Sequence, residues 1–598
     1  MSKKKQPKIT PDYVFGTLTP DAIDLENKRR ERRGLWHEQQ LRPLDPRPGD
    51  PVTITISAGP DISADHVTLY YTTNGTVPDS GRGQAQGGMV IEMERVSVEW
   101  DMLVGGYRDN WEGVLPPQPK GTHVQYVIKA WHSIRSESYY AGETDTPQVY
   151  GFYVDDEEVP TWSGQAVIYH ILIDRFAPDP GTSFNTPPNA PDGFYGGTLR
   201  GIVCRLDYLA DLGITCLWLS PVFPSPTYHG YDSTDYGTIE PRLGSEEDWQ
   251  VLLDEAHKRG MRVILDYVAN HVSSKHPAFV AAQKDKRSPT AQWFHFNHWP
   301  HDYDTFFGVR EMPKVNTDNA AARAYMIDHA RQWLERGCDG FRLDHVNGPT
   351  HAFWSAFRTA TRAVKPDSVL FGEDVEAPMF QRAYAGRMDG CLDFLLHQAL
   401  RKFFSFDTLK PSQFDAFLQR HFTFFPDNYV QPSFLDNHDM NRFLWTARGD
   451  KRRLRLAALC QFTLPAPPII YYGTEVGLNQ QNDVGCMEEA RLPMLWGKEQ
   501  DQDLLAFYKA LIALRLQGEA VWWGPRQILL IDDERHLYAY ACDPYAVAFN
   551  NSRQKVTISL TDWQKAELAL ATEIGVSWQP HKGELILCPF SGGCLHLR

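Results

Sequence analysis

The chain has 598 residues, too many for one hydrophobic core, so length alone argues for about three or four domains, or one large domain carrying smaller ones. Apolar residues make up 42% and charged residues 23%, which excludes a wholly disordered chain. With 60 Lys and Arg against 75 Asp and Glu the net charge is -15, which argues against a dedicated nucleic-acid binder.

The N-terminal stretch MSKKKQPKITPDYVFG is basic but lacks the apolar segment of a signal peptide. No run approaches the length of a membrane span. None of the 9 cysteines forms a CxxC pair, so buried thiols of a reducing compartment are expected. Together these features predict a soluble cytoplasmic protein with no membrane partner. Residues 1–155 read as a β-sandwich: PVTITISAG, HVTLYYTTNG, GGMVIEMERVSVEW, THVQYVIKAW and QVYGFYVDD are short β-branched and aromatic runs between turn residues. The charged segment Asp155 to Gly164 marks a boundary.

A different rhythm occupies 161–505. Apolar strand runs recur in QAVIYHILIDRF, ITCLWLSPV, MRVILDYVANH, CDGFRLDHV, SVLFGEDV, GCLDFLL, VQPSFLDNHD and PPIIYYGTE. Helical patterns such as SEEDWQVLLDEAHKRG and NAAARAYMIDHARQWLERG lie between several of them. Eight strands alternating with helices predict an α/β fold, a (β/α)8 TIM barrel. A doubly wound sheet competes, but no Gly-rich phosphate loop stands in the required context. After the third strand, residues 272–318 are too long for a βα loop and predict an excursion subdomain over the barrel mouth. Residues 510–598 return to short strand runs and predict a second β-sandwich.

Polar residues recur at the C-terminal ends of these strands: Asp266, Asn270 and His271; Arg342 and Asp344; Glu373; His438 and Asp439. In a barrel all such ends converge on one face. Three carboxylates there, Asp344, Glu373 and Asp439, suit a retaining glycosidase, which needs an ionised nucleophile and a protonated acid. Arg342, two residues from Asp344, shares its strand face and can hold it as an anion. Metal-assisted hydrolysis is the chemical rival, without a HExxH motif or a tight His cluster.

The motifs YHGYDSTDY, DYVANH, MPKVN, GFRLDHVN, LFGEDVE and FLDNHD occur in an order that resembles the α-amylase superfamily, within it the cyclomaltodextrinase, neopullulanase and maltogenic amylase group. The resemblance implies Asp344 as nucleophile, Glu373 as acid/base and Asp439 as the third carboxylate. It also implies that His271, His438 and Arg342 hold the glucose unit at the cleavage point, that Tyr231 stacks on sugar, and that Asp232 binds hydroxyls. Asn347 and Gly348 fall at the acceptor side, where Gly348 replaces a common acidic residue; Val375 replaces a Trp and Thr474 an Asp. Asn270 matches a calcium-linked Asn, so calcium stays open while no cofactor is required; NTPPNAPDG, Asn185 to Gly193, is a weaker metal-loop candidate. The expected activity is hydrolysis of α-1,4 links in maltooligosaccharides, cyclodextrins or related α-glucans, with transglycosylation open. Alternatives are an α-glucanotransferase, an α-1,6-preferring hydrolase, or a non-catalytic glucan-binding protein. The N-terminal module is read as carbohydrate-binding-like or as a dimerisation element of a homodimer.

Overall fold

The computed structural model of the protein describes residues 21–39, 41–78, 81–85, 87–142, 148–186, 192–482, 487–518 and 520–597. Most of the metal-loop candidate after Asn185 and residue Cys486 therefore lie outside the described residues. The other eight cysteines are free thiols. No helix of the described residues is long and apolar enough to cross a membrane.

In the N-terminal region two antiparallel five-stranded sheets form, one around Val52–Ala58 and Gly106–Leu115, the other around His66–Thr72 and Thr122–Trp131. Strand Val52–Ala58 alternates buried and half-buried residues, as a strand with one core face must. Val52, Ile54, Ile56, Leu69, Tyr126, Ile128 and Phe152 close the core between the sheets. One element departs from the all-β expectation: Asp21–Arg33 is a helix. Its Glu, Lys and Arg residues are good helix formers, but they supply no apolar periodicity to read.

Eight parallel strands follow: β1 Ile168–Ile171, β2 Cys216–Leu219, β3 Arg262–Tyr267, β4 Gly340–Leu343, β5 Val369–Gly372, β6 Gly390–Cys391, β7 Ser433–Phe434 and β8 Pro468–Tyr471. Their order in the sheet is β6-β5-β4-β3-β2-β1-β8-β7. Backbone bonds from Val430 N to Asp389 O (2.9 Å) and from Asp393 N to Pro432 O (2.9 Å) join the β6 and β7 ends and close the ring. This is the expected TIM barrel, not the doubly wound alternative.

Along each strand alternate side chains point inward. Ile168, Cys216, Trp218, Ile264, Val369 and Phe371 fill the barrel, while Tyr169, Leu217, Leu265 and Phe341 pack outward among the helices. Helices form where the periodicity places them, for example Glu246–Lys258 with a Ser245–Asp248 capping box, and Ala320–Glu335 capped by Asn319.

After β3 the chain leaves the barrel as the helix Pro277–Lys284 and two short hairpins, 296–303 and 305–313. Bonds from Val272 N to Pro313 O (3.1 Å) and from Val315 N to Asn270 O (2.9 Å) tie its two ends together, so the excursion projects as a unit from the β3 end. Following the helix Gln502–Gln517, the C-terminal region pairs a five-stranded antiparallel sheet with a three-stranded one across Leu537, Ala539, Ile558, Leu585, Leu587 and Leu595.

Candidate active site

The upper interior of the barrel is polar where the lower interior is apolar. The register sets His170 of β1 beside Trp218 of β2, and Asp266 of β3 beside Arg342 of β4. His170 stacks on Trp218 at 3.6 Å between ring centroids, and the Trp218 indole donates to Asp266 Oδ2 at 3.1 Å.

Arg342 is the hub. It is fully buried, and its Nη1 donates to Asp266 Oδ1 (2.9 Å), Asp266 Oδ2 (3.0 Å) and Asp344 Oδ1 (2.9 Å), while Nη2 pairs with Glu373. One guanidinium thus serves three carboxylates from three adjacent strands. Burial and these carboxylates act oppositely on Arg342, and the carboxylates prevail, holding its pKa well above the ordinary value. Arg342 was expected to hold Asp344 as an anion, but burial and the neighbouring charge of Glu373 outweigh it and push the Asp344 carboxyl well above the usual range. Burial likewise raises Glu373, against the pull of Arg342. The two carboxyls therefore resist carrying a charge each at the same time.

The third carboxylate sits in a different field. Asp439 Oδ2 lies 3.0 Å from His438 Nε2, and its Oδ1 accepts from Arg491 Nη2 at 3.0 Å. Burial would raise it, but His438, Arg491 and Arg342 hold its carboxyl well below the usual carboxylate range. Asp439 is thus favoured as an anion, while both members of the neighbouring pair are pushed towards their neutral forms.

Above these groups is a cavity of about 200 Å³ lined by Tyr231, His271, Phe306, Asp344, Glu373, His438, Asp439 and Arg491, among others. Tyr231 stacks parallel to His438 at 5.2 Å, and its hydroxyl donates to Asp266 Oδ2 at 2.8 Å. The excursion closes one side: Phe306 stacks on His271 at 4.5 Å, with Val309 and Met312 beside it. Burial lowers His271 to about 3, so it stays neutral.

The structure thus brings together Asp344, Glu373, Asp439, Tyr231, His271 and His438, with Arg342 beneath them. Asp232 departs from the expectation: its Oδ1 accepts from Ser225 Oγ (2.7 Å) and Thr227, so it braces its own loop and does not line the cavity. Asn347 and Gly348 also lie off the cavity. Asn347 is exposed and donates to Glu376 Oε1 at 2.9 Å. Gly348 lies under Asn270, whose Oδ1 would stand 1.8 Å from a Cβ there. A side chain at this position would require Asn270 to shift.

Several groups escaped sequence reasoning. Asp266 appeared as a strand-end acid, but its partnership with Arg342 did not. His170, Trp218 and Arg491 carried no signal of their own, although Arg491 reaches both Asp439 and the His438 carbonyl (2.7 Å) from the segment after β8. His345, the residue after Asp344, adopts a left-handed backbone (φ 44°), and its N–H donates to Glu373 Oε2 at 3.2 Å.

Asn270 directs Nδ2 to His271 Nδ1 (3.0 Å), and no group of three His, Cys, Asp or Glu among the described residues is placed to share a metal. A calcium cage needs about six to eight oxygens.

The profile of the alpha amylase catalytic domain matches residues 170–504. The chain belongs to the α-amylase family. It is a glycosidase of that family, and relatives named neopullulanase, cyclomaltodextrinase and maltogenic amylase carry the names of the group the motifs resemble. Alpha-amylase 2 of Dictyoglomus thermophilum is 36% identical over 523 residues, covering 86% of this chain and 88% of that protein. Neopullulanase 2 of Thermoactinomyces vulgaris is 36% identical over 439 residues, covering 68% and 73%. Among solved structures, a cyclomaltodextrinase superposes with a TM-score of 0.65 at 26% identity, covering 94% of this chain and 99% of that one. In α-amylase family terms, the match spans all eight barrel strands from within β1 onward.

Proposed function

We propose that this chain is a retaining glycoside hydrolase that cleaves α-1,4 links in maltooligosaccharides, cyclodextrins or related α-glucans. The observation that carries the reading is the single buried guanidinium of Arg342 bridging Asp344 and Glu373 beneath a cavity that also holds Asp439. Two carboxyls that share one proton supply both parts of a double displacement. Asp344 attacks the anomeric carbon as Glu373 delivers its proton to the departing glycosidic oxygen. Glu373, now a carboxylate, takes a proton from water, whose oxygen displaces Asp344 and restores it. Asp439, held anionic by His438 and Arg491, faces the positive charge that develops on the sugar ring. Tyr231 offers an aromatic face to sugar C–H groups, and neutral His271 offers a hydroxyl partner.

The relatives named alpha-amylase, neopullulanase and cyclomaltodextrinase support α-glucan substrates. The eight unpaired cysteines support a reducing, cytoplasmic setting. Incubation with maltotriose, β-cyclodextrin, pullulan, starch and isomaltooligosaccharides, with products resolved over time, tests the reading. Shortened α-1,4 oligosaccharides are expected, with panose-type rather than maltotriose products from pullulan. Longer products would move it toward an α-glucanotransferase, and inertness toward every α-glucan would overturn it.

A further inference from the structure

A second cleft opens where the barrel meets the C-terminal region. It measures about 670 Å³ and lies between the turn at 405–407 after helix Phe394–Phe404, residues 446–453 at the start of helix Lys451–Phe462, and the C-terminal residues 553 and 589–590. No described residue lines both this cleft and the catalytic cavity.

Charge sets the cleft apart. In a chain of net charge -15, four guanidiniums, those of Arg448, Arg452, Arg453 and Arg553, stand here against two carboxylates, Asp407 and Asp450. Each carboxylate is taken by one arginine in a two-point pair. Asp407 accepts from Arg453 Nη1 (2.9 Å) and Nη2 (2.7 Å), and Asp450 accepts from Arg452 Nε (2.9 Å) and Nη2 (2.7 Å). Both of these guanidiniums also lie over the Phe590 ring, at 4.1 Å for Arg453 and 5.3 Å for Arg452. Pairing and stacking fix them as wall. Arg448 and Arg553 are exposed, and neither guanidinium has a hydrogen-bond or ion-pair partner among the described residues. Two positive charges are left over, on side chains that a solute can reach.

The backbone carries a second signal. Among the described residues, seven other than glycine have a left-handed backbone, and three of them line this cleft: Asp407 (φ 54°), Arg448 (φ 56°) and Phe590 (φ 52°). Such conformations cost energy and gather where side chains are aimed at a ligand.

The residue types select the ligand. A cation would be repelled, and a neutral molecule would desolvate two guanidiniums without offsetting their charge. A nucleic acid needs a basic stripe rather than one local cleft. The volume suits a small molecule, and guanidinium forks match the oxygens of a phosphate. We infer that this cleft binds a phosphate group, free or carried by a sugar, with Arg448 and Arg553 closing on its oxygens. The site is separate from the catalytic cavity, so its failure would leave the glycosidase reading untouched.

Calorimetric titration of the full-length protein with inorganic phosphate and with glucose 6-phosphate, at fixed ionic strength and neutral pH, tests this. One saturable event per chain is expected. Arg448→Gln combined with Arg553→Gln should weaken it at least about tenfold. Lys565→Gln combined with Lys582→Gln removes the same charge from exposed positions of the C-terminal region outside the cleft, and should leave it unchanged. Urea midpoints unchanged without ligand report intact folds in both double variants. Tighter binding of glucose 6-phosphate assigns the sugar ester as the occupant, and phosphate binding as tight or tighter assigns free phosphate. No saturable binding of either compound overturns the site. So does binding that both double variants weaken equally, or that persists at full strength without Arg448 and Arg553.

Discussion

Asp266→Asn separates the electrostatic account of the site from a purely steric one. The substitution preserves shape while removing one negative charge from the Arg342 cluster. Both Asp266 Oδ1 and Asp344 Oδ1 lie 2.9 Å from Arg342 Nη1, so the two oxygens are no more than about 5.8 Å apart. At an effective dielectric of about 20, unit charges at that separation interact by roughly 3 kcal/mol, or about two pH units. The sign is fixed: the charge of Asp266 raises the carboxyls of both Asp344 and Glu373. Its removal therefore lets the pair lose its proton at lower pH. The basic limb of the kcat/KM profile should move down by about one to two pH units, because the mobile pair relaxes part of the full interaction. A structural cost comes with it. The Tyr231 hydroxyl and the Trp218 indole both donate to Asp266 Oδ2, and an amide nitrogen in that place would leave them unpaired, at about 1–3 kcal/mol. Folding is followed by urea titration and the profile by initial rates. A folded variant whose basic limb stays put, or moves upward, refutes the charge-sharing argument.

Asp344→Asn and Glu373→Gln should each lower turnover by at least ~10³-fold with the melting temperature nearly unchanged, given that acid/base catalysis alone contributes ~10²–10⁴-fold; near-normal hydrolysis by either purified variant would sink the assignment. Gly348→Ala should destabilise the fold by about 1–3 kcal/mol in urea titration, because its Cβ would meet Asn270 Oδ1 at 1.8 Å. Tyr231→Phe keeps the ring but loses the bond to Asp266, so about 1 kcal/mol of stability should go while sugar stacking remains. Burial lowers His37, His123 and His276 to about 4, and His229, His271 and His345 to about 3. Their folded forms stay neutral while the unfolded chain binds protons below about pH 6.5, so stability should fall from there towards pH 3–4, by up to about 1.4 kcal/mol per pH unit for each histidine. Melting curves between pH 7 and pH 4 check this, and a flat profile would contradict it. The homodimer is an expectation to be checked by mass in solution; Val98, Trp100 and Tyr107 on the N-terminal sheet are more than half exposed and offer it an apolar face.

The barrel was legible because its strands are buried on both faces. Ile168–Ile171 and Cys216–Leu219 read as near-continuous apolar runs, and the helices between them kept the 3.6-residue period. The clustering of Asp344, Glu373 and Asp439 around one cavity was legible for a related reason: charged residues belong at strand ends, and four ends carried them in order. What escaped was pairing between strands. Asp266 and Arg342 are neighbours only through the β3–β4 register, which neither segment reveals alone. Arg491 reaches Asp439 from the segment after β8, across 52 positions of sequence. Asp232 shows the converse: it stands in a telling motif, but Ser225 and Thr227 turn its carboxylate away from the cavity. Residue type marks where chemistry can occur, while side-chain direction decides which groups meet.

The central claim is that Asp344 and Glu373, joined through Arg342, carry out double displacement. Proton NMR of the anomeric signals in the first minutes of β-cyclodextrin or maltotriose cleavage tests it most directly. The account predicts that the newly formed reducing end appears first as the α-anomer and only later mutarotates. A product that appears first as the β-anomer would show single displacement and contradict the account.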